Sequence, residues 1–71
     1  MTNYKAIVTL ADGKHKIIRG AIDMVAKFTT ELRKARKSLW ASEDSFKGIS
    51  LAAILSVKFI NEYTGEVYLE I

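Results

Sequence analysis

GAIDMVAKFTTELRKARKSLWA, residues 20–41, is the stretch on which the fold turns. Within it Ala21, Val25, Phe28, Leu32, Ala35 and Leu39 recur at steps of four and three, the ~100° periodicity of an amphipathic helix. Gly20 is a permissible N-cap, and Asp23 in the first turn with Arg36 and Lys37 in the last complement the helix dipole. The spacing predicts one long helix over 20–41, and the rest of the chain must supply a surface for its apolar stripe.

Both flanks read as paired strands. Upstream, Tyr4, Ala6, Val8 and Leu10 alternate with Lys5, Ile7 and Thr9, and Asp12-Gly13 is a dipeptide favoured in two-residue hairpin turns. Strands over 4–10 and 14–19 follow, with Val8 opposite Ile17, Leu10 opposite His15, Ile7 opposite Ile18 and Thr9 opposite Lys16. Both faces of this hairpin carry apolar residues, so the pattern leaves open which is buried.

Downstream, Ser42-Glu43-Asp44-Ser45 is turn-prone and Phe46-Lys47-Gly48 returns the chain to the sheet. Ala53, Leu55, Val57 and Phe59 then alternate with Ile54, Ser56, Lys58 and Ile60, the pattern of a central strand running to Asn61. Whether residues 49–53 are strand or a short helical turn stays open. Tyr63-Thr64-Gly65 fits a three-residue loop that sets Phe59 opposite Leu69, Val57 opposite Ile71 and Lys58 opposite Glu70 as a cross-strand ion pair.

The expected architecture is therefore α+β, ββαββ: a four-stranded, mainly antiparallel sheet with one long helix packed on one face. With 71 residues and 8.0 kDa the chain reads as a single domain over 1–71. Folding at this size hides roughly 60% of the chain's surface, so the core is small and association would stabilise it. The sheet face opposite the helix has no cover. Ile7, Ile18, Ile54, Ile60 and Tyr68 are expected on it, and an apolar set of this kind marks an interface. A homo-oligomer, most simply a dimer, is the expected partner, together with a protein target.

Charge is unevenly placed. Nine of the eleven Lys and Arg fall in residues 1–41 against Asp12, Asp23 and Glu31, a net +6, whereas residues 42–71 carry a net −3. Lys27, Lys34 and Lys37 lie opposite the helix stripe, Arg33 and Arg36 lie along its flank, and Trp40 projects from that flank. Such cations can neutralise phosphates and an indole can stack on an unpaired base. The helix offers few Asn, Gln or Ser for base edges, so any nucleic-acid binding would be driven by charge.

Signals for chemistry are few. The chain has no cysteine, so disulfides, thiol nucleophiles and thiolate metal sites are excluded, and the expected compartment is reducing and cytoplasmic. His15 is the only histidine, and the phosphate-binding glycine motifs are missing. Glu62, Glu66 and Glu70 gather around the last hairpin, where carboxylates are ordinarily solvated. The reading is of a non-enzymatic protein with no cofactor or metal. No apolar run approaches the ~20 residues of a membrane span, and no secretory leader pattern is present.

The segment Gly48-Ile49-Ser50-Leu51-Ala52-Ala53-Ile54-Leu55-Ser56-Val57-Lys58-Phe59, with the Asp12-Gly13 hairpin and the basic helix before it, resembles small proteins of Gram-positive bacteria and their phages. That resemblance implies a tiny accessory protein that binds a host or phage macromolecule. It carries over no functional residue.

Overall fold

The computed structural model describes residues 2–37 and 44–71. Four strands form one antiparallel sheet: β1 (Tyr4–Leu10), β2 (His15–Gly20), β5 (Ile54–Asn61) and β6 (Val67–Glu70), in the spatial order β2-β1-β5-β6. Between β2 and β5 run the helix α1 (Ile22–Lys37), a small hairpin of β3 (Ser45–Phe46) and β4 (Ile49–Ser50), and a single 3-10 turn at Leu51–Ala53. The expected α+β fold, with one helix on a four-stranded antiparallel sheet, is the fold observed. The question left open at residues 49–53 resolves as two residues of strand followed by the turn.

Alternation decides the layers. Ala6, Val8 and Leu10 of β1 face α1, as do Val57 and Phe59 of β5, and all are buried. The helix answers with Met24, Val25, Phe28 and Leu32. Phe28 is fully buried and meets Phe59 edge-on at 5.8 Å while Phe46 of the small hairpin stacks on its other side at 4.5 Å. Phe46, Ile49 and Leu51 therefore extend the core beside α1, which packs on the 3-10 turn as well as on β2 and β1. The β3–β4 hairpin was not expected from sequence. Its two-residue turn, Lys47-Gly48, has both residues at positive φ (49° and 80°), the backbone that matches strand twist.

The helix begins at Ile22, not at Gly20, which remains in β2 opposite Tyr4. A side chain at Gly20 would meet the Met24 Cβ at 2.8 Å, so the missing Cβ is what lets the helix start hard against the strand. The expected end of the helix, with Leu39 and Trp40, lies outside the described residues.

Three register details depart from expectation, and each moves side chains between faces. In the first hairpin the loop is Ala11-Asp12-Gly13: the Leu10 N–H donates to the Lys14 carbonyl, Gly13 takes φ +86°, and the Lys14 N–H donates to Asp12 Oδ1. The three-residue loop pairs Ile7 with Ile17 and Ala6 with Ile18, one step from the expected register, and so buries Ile18.

At the start of β5, Thr9 pairs with Ser56 but Leu10 with Ile54, leaving Leu55 as the extra residue of a bulge. Ile54 is buried and Leu55 is 61% exposed, the reverse of a strict alternation. In the last hairpin Phe59 lies opposite Leu69 and Lys58 opposite Glu70 in the expected register, though Lys58 and Glu70 form no ion pair, and Val57 and Ile71 exchange both backbone hydrogen bonds. The loop nevertheless has four residues, 62–65, because Asn61 closes on Glu66 while its Oδ1 accepts the N–H groups of Tyr63 and Thr64. The register shift between Phe59 and Ile60 makes Tyr68 the bulged residue.

Candidate interaction surfaces

The face of the sheet away from α1 is open among the described residues. Reading across β2-β1-β5-β6, one row is Ile17, Ile7, Lys58 and Glu70, and the next is Arg19, Lys5, Ile60 and Val67. A third row brings His15, Thr9 and Ser56 together. Ile17 and Val67 are about half exposed, at 55% and 53%, while Ile7 and Ile60 are partly covered by their neighbours. On this face Arg19 Nε donates to Glu62 Oε1 at 2.8 Å, and Lys58 stands opposite Glu70 without forming an ion pair. The Arg19–Glu62 pair is solvent-facing, so its contribution to stability is small.

Of the five residues expected here, Ile7 and Ile60 lie on the open face. Ile18 and Ile54 do not: the three-residue loop and the β5 bulge turn both into the core. Tyr68 also leaves the set. Its ring lies 5.0 Å from that of Tyr4, whose register places it with Ala6 on the helix side. Ile17 and Val67 take their places. Sequence reading missed Ile17 because the shorter loop had paired it with Val8.

The basic helix face is present. Lys27, Arg33, Lys34, Arg36 and Lys37 are all exposed. Arg36 is tied down, its Nη2 donating to the Leu55 carbonyl at 3.0 Å, so the bulge that expels Leu55 is also the anchor for the last turn of α1. Trp40 lies outside the described residues. Lys27 also borders a shallow cleft of about 260 Å³ whose floor is Met24 and Phe46 and whose rim is Asp23, Lys27 and Lys47.

Catalytic geometry is sparse. His15 Nδ1 lies 3.2 Å from Thr9 Oγ1 at an exposed position beside the first loop. Among the described residues no three His, Cys, Asp or Glu gather closely enough to hold a metal ion. Nor is any described helix long and apolar enough to cross a membrane. No protein-family model, curated protein sequence or solved structure matches the chain.

Proposed function

We propose that this chain is a small, non-enzymatic accessory protein that works through protein–protein contacts, using the open sheet face to pair with a second copy of itself. The observation that carries the reading is the band Ile17, Ile7, Ile60 and Val67 on an uncovered sheet, in a chain whose other sheet face is closed by α1 and the small hairpin. A second copy laid face to face about a two-fold axis would cover this band with the partner's sheet. Cytoplasmic residence fits the lack of cysteine, and an accessory role alongside a phage or host macromolecule fits the layout resemblance.

Light scattering over a wide range of concentrations tests this. Wild type is expected to move from monomer to dimer mass, and Ile60→Glu to stay monomeric with unchanged far-UV circular dichroism. A wild-type chain that remains monomeric at millimolar concentration, or an Ile60→Glu variant that still dimerises, would overturn the face as the interface.

A second reading rests on Lys27, Arg33, Lys34 and Lys37, which share the exposed side of one rigid helix. Those cations suit sequence-independent contact with a phosphate backbone. Oligonucleotide binding at several salt concentrations separates the readings. If the helix binds, Lys34→Glu/Lys37→Glu lowers the slope of log K against log salt by about 2. Binding that keeps its slope in this variant would remove the helix from consideration.

A further inference from the structure

The two edges of the sheet are built differently. β6 is four residues long and bulged at Tyr68, two of the devices that stop an edge from accepting another strand. β2 has neither device: six residues run in unbroken register with β1, and the chain contains no proline. The hydrogen bond from the Leu10 N–H to the Lys14 carbonyl fixes which backbone groups are used. By antiparallel alternation, Lys16, Ile18 and Gly20 bond inward to β1, so the N–H and C=O groups of His15, Ile17 and Arg19 point out along the edge. All three residues are exposed.

The charge on that edge limits what can fill it. Lys14 and Lys16 are exposed on the helix side and Arg19 on the open side. A second β2 laid antiparallel about Ile17 would bring the two Lys16 side chains into diagonal contact and set Arg19 opposite His15, with no carboxylate on either strand. The bulged β6 of a second copy offers little regular ladder beyond Glu70. Neither edge of this chain is therefore a good occupant. We propose that β2 accepts an extended, acidic segment of a different protein as an added antiparallel strand. Backbone hydrogen bonds to His15, Ile17 and Arg19 hold the segment, and its carboxylates meet Lys14, Lys16 and Arg19. The site uses the outward backbone groups of β2, whereas the two-fold pairing uses side chains of the open face; Ile17 and Arg19 belong to both surfaces.

A displayed library of random linear peptides of about nine residues, long enough to span the edge, supplies the probe. Selected peptides are expected to be enriched in Asp and Glu and to shift the amide resonances of His15, Ile17 and Arg19. Their affinity should fall at least about tenfold in Lys14→Glu/Lys16→Glu. Ile17→Pro should abolish binding, since it removes an outward N–H without touching the β1 ladder. Ile17→Thr, which keeps that N–H, should bind nearly as wild type. The proposal is overturned if no peptide is enriched above background, if enriched peptides are neutral or basic, or if Ile17→Pro or the charge-reversed variant binds them as wild type does. Shifts confined to β5 and β6 or to α1 would also overturn it, while leaving the dimer reading intact.

Discussion

Thr29 Oγ1 is a buried side-chain oxygen with no hydrogen-bond partner, on the helix face that packs against the sheet. Burying a hydroxyl unpaired costs ~1–3 kcal/mol, and Val has nearly the same shape without the oxygen. Thr29→Val is therefore expected to raise stability by about 1 kcal/mol in urea denaturation, seen as a higher midpoint at unchanged slope. A lower midpoint would mean the hydroxyl has a partner. Gly20 behaves in the opposite sense. With Met24 Cβ 2.8 Å from where its own Cβ would sit, Gly20→Ala must push the first turn of α1 away from β2, at a cost of ~1–3 kcal/mol. A midpoint equal to wild type would show that the junction yields easily. Neither position was legible in the sequence, where Thr29 falls outside the apolar stripe and Gly20 reads as a cap. A close approach and an unpaired hydroxyl exist only once two elements have been brought together.

At the scale of elements, the bulge in β5 makes a sharper test than any single burial value. Two adjacent apolar residues, Ile54 and Leu55, have opposite environments, the first in the core and the second solvent-facing beside Arg36. Ile54→Glu places an unpaired carboxylate in the core and is expected to unfold the chain or cost several kcal/mol, whereas Leu55→Glu should stay within about 0.5 kcal/mol of wild type. Thermal unfolding of the two variants checks this, and equal losses would place the bulge elsewhere. Periodicity did identify β1, β2, α1, β5 and β6, because each holds a face in contact with one core. It failed where a single inserted residue resets alternation, since nothing in a run such as Ile54-Leu55-Ser56 says which member is skipped. The same limit hid the β3–β4 hairpin: two-residue strands are too short to show a period, and Lys47 is an uncommon residue at positive φ.

For the whole molecule, shape and size point the same way. The principal extents are 38 × 24 × 18 Å, and the shortest is the thickness of a sheet with one covering layer. A third layer would bury the band of Ile17, Ile7, Ile60 and Val67, and in the two-fold arrangement proposed above that layer is the partner's sheet. A core this small has little stability in reserve, so pairing should register in the unfolding temperature through mass action. With ~0.7 kcal/mol per residue of unfolding enthalpy, two chains melting together give a Tm that rises by about 5 °C for each tenfold increase in protein concentration. Scanning calorimetry over two decades of concentration should show that slope in wild type and none in Ile60→Glu. If wild type melts at one temperature throughout, the open face is exposed in the free chain, and its apolar band belongs to a heterologous partner in place of a second copy.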